Sequence, residues 1–219
     1  MTTPSTETTE IHVVGLCGSL REGGYTRQAL KVALRGAEGP GVTTVILDLD
    51  PYDLPFCRGK DNQTTYGDNV HRFRSAIRAA DAIIIATPEY HGSFSGVVKN
   101  ALDLAGFEEF EGKMIGLVGV SGGRYGASDA LNTLRAIGRS LHAWVVPSQA
   151  TIPSAWESFD ANGEPRSQQD LHRLLAVGRE VARFARLHKC GEHMQFLKEW
   201  ETAPVNPGGH AELAALPRT

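Results

Sequence analysis

Three short segments of this chain collect the residue types that bind anions and flat polar rings. The first is Gly18-Ser19-Leu20-Arg21-Glu22-Gly23-Gly24-Tyr25-Thr26. Glycines let backbone amides approach an anion, hydroxyls donate to it, and a helix that follows adds its positive end. Arg21 brings a planar fork of donors matched to a phosphate. Neither GxxxxGK[ST] nor GxGxxG is present, so the segment reads as a cradle for a single phosphate rather than a nucleotide loop of either kind. A glycine-rich turn with a solvated arginine is the plain alternative. The second segment is Thr87-Pro88-Glu89-Tyr90-His91-Gly92-Ser93. Pro88 fixes the chain as it leaves a strand, Gly92 lets backbone come close to a flat ring, and Tyr90 offers an aromatic wall. Backbone amides and a polar side chain such as His91 could bond the ring's edge, and Ser93 also reads as a helix N-cap.

The third segment, Ser121-Gly122-Gly123-Arg124-Tyr125-Gly126, has glycines that permit left-handed or crowded backbone beside a ligand. It also completes Gly119-Val120-Ser121-Gly122-Gly123, a match to the GxSxG nucleophile elbow. Asp160 or Asp170, then His172 or His188, would give a serine hydrolase its chain order. Against that reading, Arg124-Tyr125-Gly126 delays the helix an elbow needs at once, and no HGGG-type loop occurs.

The elements that carry these segments alternate. Apolar runs at 11–17, 42–47, 81–87, 113–120 and 143–146 read as strands, the third stopped by Pro88 and the fifth by Pro147. Between them lie helical stripes: Ala29, Leu30, Ala33 and Leu34; Val70, Phe73 and Ile77; Phe94, Val97, Val98, Ala101 and Leu102 in a helix starting at Ser93; and Ala130, Leu131 and Leu134. A last helix spans 168–188. The runs are apolar throughout rather than alternating, as strands buried on both faces are. Such alternation predicts an α/β protein: a flavodoxin-like three-layer α/β/α fold with a five-stranded parallel sheet in the order 2-1-3-4-5. In that order the loops after strands one, three and four border one crevice, and these are the three segments above. Residues 11–190 form the expected domain, preceded by a disordered 1–10 and followed by a Pro/Gly-rich tail, 191–219.

Composition narrows the function classes. A formal net charge of −3 over 219 residues leaves no basic footprint for nucleic acid or an anionic membrane. No apolar run is long enough to span a bilayer, and the Thr-rich start lacks the apolar core of a signal peptide. Cys17, Cys57 and Cys190 are widely spaced, without zinc spacing, and read as free thiols in a reducing cytoplasm.

Gly18-Ser19-Leu20-Arg21, Pro88-Glu89-Tyr90-His91-Gly92-Ser93 with Lys99-Asn100-Ala101-Leu102-Asp103, and Ser121-Gly122-Gly123 together resemble the NAD(P)H-dependent FMN reductase family. The likeness runs from about residue 11 to about residue 153. It implies an FMN-dependent oxidoreductase in which NADPH or NADH passes hydride to the flavin and a small acceptor, a quinone or free flavin, then takes it in a ping-pong cycle. By resemblance, Ser19, Arg21, Gly24, Tyr25 and Thr26 hold the phosphate. Pro88, Glu89, Tyr90, His91 and Gly92 lie along the ring, and Ser121, Gly122 and Gly123 meet its pyrimidine side. No side chain is assigned as acid or base. The family usually has Ser at Gly24, often Asn at Thr26, and commonly Asn at His91. A homodimer or homotetramer is implied, with the helix from Ser93 and the Trp156–Phe159 segment as candidate contacts. Two further readings remain: a flavodoxin-like electron carrier that does not react with NAD(P)H, and a Rossmann protein gripping ribose through Asp48 or Asp50. Arg21, Arg124 and Arg135 are equal candidates for a 2′-phosphate.

Overall fold

The computed structural model describes residues 9–59 and 66–189. The expectations for the N-terminal segment, apart from Thr9 and Glu10, for the tail and for Cys190 lie outside the described residues. Six strands form one sheet: β1 (Ile11–Cys17), β2 (Val42–Asp48), β3 (Ala82–Tyr90), β4 (Ser93–Phe94), β5 (Met114–Val120) and β6 (Trp144–Ile152). Five are parallel, in the order β2-β1-β3-β5-β6. This is the expected winding, with one strand more than expected: the two-residue β4 pairs antiparallel with the end of β3. Every residue of β5 is buried, and β3 is buried from Ala82 to Pro88, as a sheet covered on both faces requires.

One face packs against α1 (Tyr25–Ala37) and α7 (Gln168–Lys189), around Ala33, Val118 and Val177. The other is covered by α2 (Asp68–Arg78), α3 (Gly96–Asp103) and α5 (Ser128–Ser140), around Phe73, Val98 and Leu131. Two single-turn helices, α4 (Phe107–Phe110) and α6 (Ala155–Ser158), escape a periodicity argument because one turn has no period. Among the described residues no helix is long and apolar enough to cross a membrane, and no cluster of three potential metal ligands occurs.

Three sequence boundaries move for identifiable reasons. Pro88 does not end β3, which continues in register with β5 through the Pro88–Val120 pair. Ala86 receives the Gly18 N–H on the β1 side, so Pro88, two residues on, turns its missing donor toward a place where β1 has already ended. Pro147 does not end β6 either. The ladder shifts there, from Ile115 opposite Val145 to Leu117 opposite Gln149, and Arg135 donates to the Val146 and Pro147 carbonyls and to the Gln149 side chain. A bulge is where a strand tolerates proline. Finally, the helix expected from Ser93 starts two residues later. Ser93 and Phe94 close a hairpin, and Ser95 is the true N-cap of α3, its Oγ accepting the Val98 N–H at 3.3 Å.

Candidate functional site

The three segments meet at the carboxyl end of the sheet, where β1, β3 and β5 stop. A cleft of about 330 Å³ opens there, within the range of small-molecule sites. Its floor and walls come from Ser19, Arg21, Gly24, Tyr25 and Thr26 on the first loop, Pro88, Glu89 and Tyr90 on the second, and Val120 and Gly122 on the third. The remaining expected residues, His91, Gly92, Ser121 and Gly123, do not line it. A larger hollow, about 490 Å³, runs along α1 and the edge strand β2. Its arginines are already paired, Arg27 with Asp48 and Arg35 with Glu164, and it lies away from the switch point where ligands of this fold sit.

The first loop ends in a helix start that carries no side-chain cap of its own. Gly24 occupies the N-cap position of α1 without a side-chain bond, and no acidic residue stands in the first turn. Tyr25 and Thr26 open the helix, so its positive end faces the cleft uncompensated. Ser19 Oγ accepts the Arg21 N–H at 3.3 Å, which leaves the hydroxyl proton to donate elsewhere. The Arg21 side chain is exposed at the cleft. Beneath this loop Cys17 is fully buried, and burial pushes its thiol pKa up. It is inert packing.

A buried hydrogen-bond chain fixes the loops relative to one another. Ser95 Oγ donates to the Gly18 carbonyl at 2.7 Å, Ser95 N–H donates to Thr87 Oγ1 at 3.0 Å, and Thr87 Oγ1 donates to the Pro88 carbonyl at 2.9 Å. The Lys99–Asp103 stretch is explained structurally too. Asn100 clamps the loop before α2 by accepting the Cys57 N–H and donating to the Pro55 carbonyl, while Lys99 and Asp103 form an i,i+4 ion pair on α3. These bonds tie α3 to the neighbouring loop and brace its exposed face.

The second loop is a tight hairpin. His91 and Gly92 have φ of 53° and 75°, positive at both central positions as a type I′ turn requires. His91 is exposed at the tip, so this position is governed by turn geometry. In the third loop only Gly126 is left-handed, with φ 75°. The Gly123 N–H, one candidate ring donor, is satisfied by Ser121 Oγ at 3.0 Å.

The hydrolase reading finds no elbow here: Ser121 is buried in its own turn, and α5 starts only at Ser128. The Asp160 carboxylate is occupied by the backbone N–H groups of Asn162 and Glu164, and His188 lies beside Gly112 at the opposite end of β5. Asp48 and Asp50 are likewise structural: Asp48 pairs with Arg27, and Asp50 opens a single 3₁₀ turn. Arg135 is consumed by the β6 bulge, which leaves Arg21 and Arg124 as the candidates for a 2′-phosphate among the three.

A fourth wall was not foreseen. The segment after β6 docks on the third loop through Ser154 N–H to Gly123 carbonyl and Ala155 N–H to Ser121 carbonyl, both 3.0 Å. Ala155 and Trp156 thereby line the cleft. Phe159, in the segment expected as a subunit contact, is 3% exposed and stacks on Tyr25, with ring centroids 5.9 Å apart and planes 15° from parallel. Trp156 stays 57% exposed and Tyr90 55%, so the mouth of the cleft is aromatic.

A profile of the NADPH-dependent FMN reductase family matches residues 11–157. The chain is 38% identical over 159 residues to an NAD(P)H-dependent FMN reductase of Pseudomonas aeruginosa, covering 70% of this chain and 84% of that one. It is 32% identical over 175 residues to an NADPH azoreductase of a Bacillus species, covering 77% and 95%. Among solved structures, the flavoenzyme NAD(P)H:(acceptor) oxidoreductase FerB of Paracoccus denitrificans superposes with a TM-score of 0.64 at 26% identity, over 81% of this chain and 98% of that one.

Proposed function

This chain belongs to the NADPH-dependent FMN reductase family, and from that premise we propose that the strand-tip cleft holds FMN by its phosphate at the start of α1, with the ring beside the second and third loops. The protein is an FMN-dependent NAD(P)H oxidoreductase. When bound, FMN supplies the hydride chemistry; position and electrostatics are the protein's part.

The observation that carries the phosphate assignment is the uncapped start of α1. Thirteen helical residues with neither an N-cap side-chain bond nor a first-turn acid present a helix N-terminus suited to an anion. Ser19 and Arg21 line the same cleft as the start of α1. Gly24 replaces a hydroxyl with bare backbone, so donors here are main-chain amides supported by Thr26. The ring is bounded by Pro88 and Val120 on the floor and by Tyr90 and Trp156 at the mouth. NAD(P)H and then the acceptor would occupy the cleft in turn, and the acceptor class that suits its aromatic residues Tyr90 and Trp156 is a quinone or free flavin. We also read the protein as a homodimer or homotetramer, supported by exposed Tyr90 and Trp156 beside the cleft and testable by sedimentation.

The test compares FMN with riboflavin, which lacks the phosphate. Arg21→Ala should weaken FMN binding roughly 10- to 100-fold, the range for a charge-assisted hydrogen bond, and leave riboflavin binding unchanged. Equal loss for both ligands, or none, would overturn the assignment. Anaerobic addition of NADPH or NADH to the FMN-loaded protein should bleach its yellow absorbance, and persistence of the colour would count for the electron-carrier reading instead.

A further inference from the structure

Glu89 stands at the end of β3, its backbone held opposite Phe94 by the hairpin ladder, and it lines the cleft. Its side chain reaches across to another element: Glu89 Oε2 accepts the Ala130 N–H at 3.0 Å. Ala130 is the third residue of α5, and the position before that helix is Ala127, which has no side-chain group to cap it. The Ala127 N–H is satisfied by Thr151 Oγ1 at 2.6 Å. A side-chain oxygen accepting from the third helical N–H is the bond an N-cap residue makes. Here it is supplied from 41 positions earlier, by the end of β3. The same carboxylate therefore belongs to two structures: it is the N-terminal cap of α5, and it is a fixed negative charge in the cleft wall beside Pro88 and Gly122.

We propose, on the basis of the FMN reading above, that Glu89 is a positioning residue with two separable effects. Its hydrogen bond holds the third loop against the second whether or not cofactor is present. Its charge lowers the reduction potential of bound FMN, because reduction places negative charge on the flavin next to a carboxylate that the α5 terminus keeps in place. A lower potential makes the reduced state a better donor, which suits a protein that must pass hydride on to a small acceptor. Glu89 thus ties the shape of the cleft to the driving force of the second half-reaction.

Glutamine separates the effects, since its amide oxygen can accept the Ala130 N–H without bringing a charge. The experiment measures three quantities for wild type, Glu89→Gln and Glu89→Ala: apoprotein melting temperature, FMN dissociation constant, and the midpoint potential of the holoprotein. Glu89→Ala is expected to lower the melting temperature and weaken FMN binding about tenfold. Glu89→Gln should keep the wild-type melting temperature and an FMN dissociation constant within about twofold of wild type, and still raise the midpoint potential by about 30 mV, the two-electron equivalent of a tenfold change in the reduction equilibrium. Equal loss of stability in both variants overturns the capping role; an unchanged potential in Glu89→Gln overturns the electrostatic one. Should the wild type fail to bind FMN, the cofactor reading falls and the electrostatic effect with it, while apoprotein melting still decides the cap.

Discussion

Ser95 and Gly18, 77 positions apart, are joined by a buried hydrogen bond of 2.7 Å from the serine hydroxyl to the glycine carbonyl. The same hydroxyl accepts the Val98 N–H and so caps α3. One side chain thereby links the loop after β1 to the helix after β3. Ser95→Ala should remove the cap and leave the Gly18 carbonyl unpaired in the interior. A loss of about 1–3 kcal/mol in unfolding free energy is expected, together with weaker FMN binding because the first loop loses its tie. Chemical denaturation and flavin titration check the two effects. Unchanged binding in a destabilised variant would show that the phosphate loop holds its shape without Ser95.

Much of this arrangement was legible in the sequence, and the exceptions have a common cause. The apolar runs at 11–17, 81–87 and 113–120 could only be strands covered on both faces, so the winding and the meeting of the three loops followed. Ser93 reads as a cap because it precedes an apolar stripe. Phe94 belongs to that stripe only by coincidence, since it is buried from β4 rather than from a helix. Pro147 concealed the second half of β6 and with it the wall made by Ala155 and Trp156. Thr151 and Ile152 before Pro153 were the available sign that a strand resumed. The bonds from Glu89 to Ala130 and from Arg135 to the bulge leave no local trace, because each joins residues whose proximity depends on the completed sheet.

The helices α1 and α7 pack closely on one face of the sheet. Gly36 and Gly178 let the two backbones touch: a Cβ added at Gly178 would lie 2.7 Å from the Ala37 amide nitrogen and closer still to the Ala33 carbonyl oxygen. Backbone cannot swing aside as a side-chain tip can. Gly178→Ala is therefore expected to destabilise the protein by about 1–3 kcal/mol or more, although alanine is intrinsically the better helix former by about 1 kcal/mol. A stability gain, measured by thermal or urea unfolding, would mean that the helices separate without cost.

His91 occupies a left-handed turn position at φ 53°, followed by Gly92 at 75°. Asparagine is the favoured residue at the first such position in a two-residue hairpin. His91→Asn should raise stability by roughly 0.5–1 kcal/mol, a fraction of the roughly 1–3 kcal/mol that a left-handed non-glycine residue costs, since asparagine keeps the conformation but tolerates it better. Because the imidazole lies outside the cleft, FMN affinity should stay within twofold. A larger change in affinity would place this side chain against the ligand after all.

The turn that presents Phe159 to Tyr25 is held by carboxylates, which makes it acid-sensitive. Arg35 donates to both Glu164 oxygens, at 2.7 and 2.8 Å, and this hydrogen-bonded pairing holds the Glu164 pKa below its ordinary value of 4.5. Asp160 is held below 3.8, first by the Glu164 N–H and then by that of Asn162. A depressed carboxylate pKa stabilises the folded state above the unfolded value, and the contribution disappears as pH falls through the folded value. The stability difference between wild type and Glu164→Gln should therefore be present at pH 6–7 and shrink progressively below about pH 4.5. Since Arg35 and Glu164 are each nearly half exposed, at 44% and 45%, the difference should be small and should also fall in molar salt. Melting curves of the two proteins across pH 3–7, at low and high salt, decide the matter. A difference that persists unaltered at pH 3 would mean that Glu164 acts through packing and not through its charge.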